Sequence, residues 1–110
     1  MFNQDAFNKF IINHNIIGFF DTPISLKSGQ KSHMYINWRH VSNDVVLLES
    51  CALFVIEFCL THNLEPDCFF GVAEGATKLG IITQYLWAKQ QCHYEKGSFS
   101  LAMGRAKPKV

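Results

Sequence analysis

Apolar residues recur at helical spacing at the start of the chain. Phe2, Ala6, Phe7, Phe10 and Ile11 mark one face between about Asn3 and Asn15, so an amphipathic helix is expected there. Asn15 and Gly18 supply stop signals. Ile16, Ile17, Phe19 and Phe20 follow as a dense apolar group expected to pack inward. Asp21-Thr22-Pro23 reads as a turn, and Ile24 to Lys27 as a short strand. Ser28-Gly29 turns the chain again, and Met34 to Trp38, rich in aromatic and β-branched residues, reads as the next strand.

The second half alternates helix and strand. A long helix is expected from about Asp44 to His62, capped by Ser42, Asn43 or Asp44 and ended by Asn63. Leu47, Leu48, Cys51, Phe54, Val55 and Phe58 give it a broad apolar face. Cys68-Phe69-Phe70 is a short wholly apolar run, the pattern of a strand buried on both faces of a parallel sheet. Gly71 ends it. A further helix starts near Gly75 or Ala76 and runs to about Gln90, with Leu79, Ile82, Tyr85 and Leu86 inward. A last strand is expected around Ser98 to Met103. This order contains a β-α-β unit, so the expected class is α/β with a parallel sheet.

Composition narrows the function classes. With 110 residues, 48% hydrophobic and 17% charged, the chain suits one domain with a core. A net charge of +1 gives no overall basic field for bulk nucleic-acid binding. The charge is uneven, however. Six Lys/Arg stand against nine Asp/Glu up to Glu95, whereas Lys96, Arg105, Lys107 and Lys109 follow with no acid. No basic-then-apolar leader opens the chain, and no run approaches the ~20 apolar residues of a membrane helix. A soluble cytoplasmic protein without a membrane partner is the expectation. Cys51, Cys59, Cys68 and Cys92 form no CxxC pair and read as free thiols in a reducing compartment. Cys59, His62 and Cys68 lack a fourth ligand at ordinary zinc spacing, so no metal site is assigned to the protein's own side chains.

Three segments carry candidate chemistry. In Leu26 to Asn37, Lys27 and the Ser28-Gly29 turn lead into a strand where Tyr35 can stack on a planar ring. The alternative is a polar hairpin with a solvated lysine. The loop Gly71-Val72-Ala73-Glu74-Gly75-Ala76 lies between a strand and a helix N-terminus, where small residues let backbone N–H groups approach a phosphate. The alternative is a turn whose glycines serve only steric needs, with Glu74 paired to Lys78 at i,i+4. Gly104-Arg105-Ala106-Lys107-Pro108-Lys109-Val110 sets three cations within five residues, beside a glycine and a proline, either a solvated tail or a flexible clamp over phosphates. Nothing supports Ser/His/Asp or Cys/His hydrolysis: there is no nucleophile elbow, and the five histidines are scattered.

In this order, the three segments resemble orotate phosphoribosyltransferase. Leu26-Lys27-Ser28-Gly29, with Ser32, Tyr35 and Asn37, is similar to that family's N-terminal orotate segment. Gly71 to Ala76 is similar to its pyrophosphate loop, and Arg105 to Lys109 to the start of its mobile catalytic loop. The resemblance implies a type I phosphoribosyltransferase fold, a parallel sheet core under an N-terminal hood. Residues 1–40 would form the hood segment, 41–103 the start of the core and 104–110 the start of the loop. It implies transfer of ribose 5-phosphate from phosphoribosyl pyrophosphate to orotate, with Mg²⁺, in a homodimer. Lys27, Ser28, Gly29, Tyr35 and Ile36 would then lie on the orotate side. Val72, Ala73, Glu74, Gly75 and Ala76 would bind pyrophosphate, and Arg105 and Lys109 would be the catalytic cations that reach its oxygens.

The sequence departs from the family pattern at several points. Ile36 replaces one member of an aromatic pair, and Ala106 stands where many members carry a second lysine. No two carboxylates are adjacent anywhere in the chain, so the acidic pair that grips the ribose hydroxyls is missing, as are the loop after it and a later orotate-contacting arginine. The chain therefore reads as the N-terminal part of such an enzyme, whether a truncated piece, a gene fragment or a degenerate copy. By itself it is expected to be inactive and, with an uncovered sheet edge, to associate or to be marginally stable. The alternatives are a non-catalytic nucleotide- or phosphate-binding module or regulator on the same fold, and a purely structural protein.

Overall fold

Asn3 opens the first helix, α1 (Gln4–Asn13), its side chain accepting a hydrogen bond from the Ala6 N–H at 3.0 Å. The structure, a computed structural model, describes residues 1–73, 75–91 and 95–104. Asn15 ends α1 in a left-handed conformation (φ 56°). The Asn15 N–H donates to Ile12 O, and the Ile16 N–H to Ile11 O, a Schellman closure in which asparagine takes the position usually held by glycine. Asn63 (φ 54°) closes α3 (Val45–Thr61) in the same way, with Leu64 N–H donating to Cys59 O. Both asparagines are thus the stop signals expected from the sequence.

A two-stranded antiparallel hairpin lies between these helices: β1 (Ile17–Ser25) and β2 (Lys31–Ile36). It is the one sheet among the described residues. Phe19 pairs with Met34, but the next pair is Ile24 with Ser32, so Phe20 to Pro23 stand against His33 alone. The expected turn at Asp21-Thr22-Pro23 is therefore an irregularity inside β1. Proline is tolerated there because no ladder bond is demanded of it. Phe19 and Phe20 do not pack inward: they are 76% and 42% exposed. Ile16, fully buried, carries that role instead.

A short helix not anticipated from the sequence, α2 (Arg39–Ser42), connects the hairpin to α3. Asp44 caps α3, accepting from the Val46 and Leu47 N–H groups at 3.0 and 3.1 Å. The first core cluster joins Phe10, Ile16, Val41, Leu48 and Cys51. Phe54 binds α1 to α3 through rings centred 5.3 Å from Phe7 and 5.4 Å from Phe10. Phe58, expected inward, is half exposed and packs edge-on against Phe2.

The last helix, α4 (Thr77–Gln90), buries Gly80, Thr83, Gln84 and Trp87. Tyr85, expected inward, faces solvent beneath the Lys89 ammonium, 5.1 Å from its ring. Trp87 sits in a second cluster with Ile56 and Cys59. The expected parallel sheet is not formed among the described residues. Residues 68–70 and 98–103 enter no ladder, and Cys68 and Phe70 are exposed rather than buried on two faces. The two segments nevertheless lie side by side. Gln84 accepts from the Phe69 N–H at 3.0 Å and donates to Ser100 O at 2.8 Å. A side chain from the helix thereby satisfies backbone groups that a neighbouring strand would otherwise take.

Candidate functional site

The end of β2 is held against the core by the Asn37 N–H, which donates to Ile16 O at 2.6 Å. This fixes where Tyr35 and Ile36 emerge. Gly18, with no side chain, pairs with Tyr35, and the Phe20 ring meets Tyr35 edge-on at 6.2 Å. Beyond Asn37 the chain turns sharply into α2, because the Asn37 side chain accepts from the Arg39 N–H at 2.9 Å. The turn encloses a cavity of about 540 Å³.

Tyr35, Ile36, Trp38 and Arg39 form one side of this cavity, Leu48, Cys51 and Val55 of α3 another, and Gly75, Ala76 and Leu79 a third. Its volume falls within the usual range of small-molecule sites. Two of the three candidate segments therefore meet: Tyr35 and Ile36 from the first, Gly75 and Ala76 from the second. The contact is braced by Lys78. Lys78 Nζ donates to Ser42 O and Asn43 Oδ1, both at 3.3 Å, holding the start of α4 against the end of α2. Lys78 thus has partners other than the Glu74 expected for it.

The remaining candidates are placed elsewhere. Lys27, Ser28 and Gly29 form the tip of the hairpin and do not line the cavity. The Leu26 N–H donates to Gln30 O and the Gly29 N–H to Leu26 O, with Gly29 at φ +87°, so the glycine donor is used within the turn. Roughly 13 Å of extended chain separates Lys31 from Tyr35. Val72 is exposed and Ala73 half-buried, both outside the cavity lining. Glu74, Arg105 and Lys109 lie outside the described residues, as does the rest of the basic segment beyond Gly104.

The loop before α4 is tightly closed. A Cβ on Gly71 would stand 1.8 Å from Ala76 O, and one on Gly80 would stand 2.5 Å from Gly71 N. Gly71, and Gly80 of α4, thus meet a steric demand, whereas a Cβ on Gly75 would meet nothing within 4 Å. The Ala76 N–H donates to Val72 O at 3.0 Å and is not available to a phosphate in this conformation. One polar group nearby is unspent: Thr77 Oγ1, in the first turn of α4, is buried with no hydrogen-bond partner among the described residues.

Arg39 and Trp38 were not singled out from the sequence. Neither belongs to a motif; the α2 turn brings them to the cavity. Arg39 is exposed yet lines the cavity, which puts it at the rim. No Asp or Glu is among the described lining residues. The thiol of Cys51, on the inner wall, is pushed up to about 11 by burial, so it is an inert neutral surface at neutral pH. No group of three His, Cys, Asp or Glu side chains among the described residues is placed to hold a metal ion. Nor is any helix among them long and apolar enough to cross a membrane.

No protein-family model matches the sequence, and no curated protein matches it. Among solved structures, the fold is similar to orotate phosphoribosyltransferase from Francisella tularensis, with a TM-score of 0.60 and 21% identity over 77% of this chain and 41% of that one. It is also similar to UMP synthase from Leishmania donovani, with a TM-score of 0.60 and 16% identity over 84% of this chain and 22% of that one. The chain thus spans less than half the length of either structure. The expected resemblance to part of an orotate phosphoribosyltransferase is met at the level of the fold.

Proposed function

We propose that this chain contributes the base side of a phosphoribosyltransferase site, in which orotate receives ribose 5-phosphate from phosphoribosyl pyrophosphate to give orotidine monophosphate. The observation that carries this reading is the cavity where Tyr35 and Ile36 meet Gly75 and Ala76, in a fold like that of orotate phosphoribosyltransferase. Tyr35 and Trp38 offer apolar faces to a flat ring. The start of α4, with the unspent Thr77 hydroxyl, favours an anion at the loop end. In this reading Glu74 belongs to the pyrophosphate loop, and Arg105 and Lys109 neutralise the departing pyrophosphate. Mg²⁺ would then be held together with the phosphoribosyl pyrophosphate. The site would work in a cytoplasmic homodimer, with residues 1–40 as hood, 41–103 as the start of the core and 104–110 as the start of the catalytic loop.

Calorimetric titration of the purified chain tests this. Orotate should bind, and Tyr35→Ala should weaken it; purine binding without orotate binding would overturn the proposal. With phosphoribosyl pyrophosphate and Mg²⁺ added, the chain alone should form no orotidine monophosphate, because no adjacent carboxylate pair is present to hold the ribose hydroxyls. The buried Thr77 hydroxyl at the start of α4 also fits a second reading, a non-catalytic nucleotide- or phosphate-binding module. It predicts binding of Mg²⁺-pyrophosphate or a purine nucleotide with no response to orotate.

A further inference from the structure

We infer that Arg39 is the specificity residue of the cavity, the group that holds the acidic edge of a planar, carboxylate-bearing ring. The inference rests on the proposed reading of the cavity as a ring site and names the residue that selects the ring. Three observations carry it. First, Arg39 is the one Lys or Arg among the described lining residues. Lys27 and Lys31 stand at the hairpin tip, and the Lys78 ammonium is engaged by Ser42 O and Asn43 Oδ1.

Second, Arg39 is anchored at its backbone while its side chain is uncommitted. Its N–H donates to Asn37 Oδ1 at 2.9 Å, and among the described residues its guanidinium makes no hydrogen bond or ion pair. Third, no carboxylate is among the described lining residues, so none of them competes with a bound anion for the guanidinium. Tyr35, Ile36 and Trp38 give the wall beside Arg39 an apolar character, and a flat ring with one carboxylate fits both features. The ring covers Tyr35 and Trp38, and the carboxylate meets the planar fork of donors at the rim. Guanidinium matches carboxylate geometry with two parallel hydrogen bonds, which a lysine cannot reproduce.

The test compares orotate with uracil, the same ring without the carboxylate, by calorimetry on the full chain. The parent chain should bind orotate more tightly than uracil. Arg39→Gln should weaken orotate binding roughly 10- to 100-fold and leave uracil binding unchanged, with Arg39→Lys restoring part of the loss. Circular dichroism should show both variants folded, since the side chain is exposed. Undiminished orotate binding by Arg39→Gln overturns the inference while the ring-site reading stands. So does a loss of orotate binding in Lys27→Gln that Arg39→Gln does not share. If the parent chain binds neither ring, the ring-site reading fails, and the inference fails with it.

Discussion

Gln84 of α4 accepts a hydrogen bond from the backbone N–H of Phe69 at 3.0 Å. Its amide nitrogen also reaches Ser100 O at 2.8 Å, so one buried side chain fastens two extended segments that share no ladder. Replacing it with methionine keeps the volume and removes both bonds. Leaving partly buried backbone groups unpaired costs about 1–3 kcal/mol. Gln84→Met should therefore lower the urea midpoint by that equivalent and speed hydrogen exchange at the Phe69 amide. An unchanged midpoint and unchanged exchange would show that the bridge contributes nothing.

Glycine 80 behaves against the usual rule for helices. Alanine ordinarily stabilises a helix interior by roughly 1 kcal/mol over glycine. Here the added Cβ would meet backbone, Gly71 N at 2.5 Å and Gly71 Cα at 2.9 Å, and neither can swing aside. Gly80→Ala should destabilise by about 1–3 kcal/mol. Gly75→Ala, with nothing within 4 Å of the new Cβ, should be neutral or slightly stabilising. Thermal melts of the two variants decide the matter; equal midpoints would contradict the close approach of the loop to α4.

The unpartnered hydroxyl of Thr77 gives a prediction with opposite signs for stability and binding. Thr77→Val removes a buried polar atom that makes no hydrogen bond among the described residues, so stability should stay level or rise by up to about 1 kcal/mol. Binding of Mg²⁺-pyrophosphate should weaken if the hydroxyl serves an anion at the start of α4. Chemical denaturation and calorimetry measure the two effects separately. A loss of stability above about 2 kcal/mol would mean the hydroxyl already has a partner in solution.

Alkaline stability should track the buried thiol of Cys51. Burial raises its folded-state value from 9 to about 11, so the unfolded chain ionises first as pH rises. The contribution is fully present below about pH 9 and is lost between pH 9 and 11. At about 1.36 kcal/mol per unit, the loss amounts to a few kcal/mol at most. Burial pushes Cys59 in the same direction and adds to the slope. Melting temperatures across this range should fall, and less steeply in Cys51→Ala. At neutral pH a thiol reagent should label exposed Cys68 well before Cys51 or Cys59, both buried.

Local rules made much of this fold legible. Asn3, Asp44, Asn15 and Asn63 act through bonds to residues within five positions of themselves, so their neighbours in sequence were enough to place α1 and α3. Cys68-Phe69-Phe70 shows where such reasoning stops. Its apolarity suggested a doubly buried strand, but burial requires partners from distant segments, and Phe70 is 55% exposed among the described residues. The hairpin shows a related limit: the register shift between Phe19 and Ile24 turned a proline-containing stretch into part of a strand. Within the candidate site, Tyr35 and Gly75 were marked by their segments. Arg39 was not, because only the α2 turn brings it to the cavity.

The two tryptophans fall in different parts of the molecule. Trp38 stands on the cavity wall, 38% exposed, while Trp87 is 8% exposed in the cluster with Ile56 and Cys59. Their fluorescence should therefore separate by solvent polarity, the first red-shifted and open to quenching by a bound ring, the second blue-shifted and shielded. With each in turn replaced by phenylalanine, the chain becomes an optical instrument with two independent channels, one for occupancy of the cavity and one for melting of the α3–α4 interface.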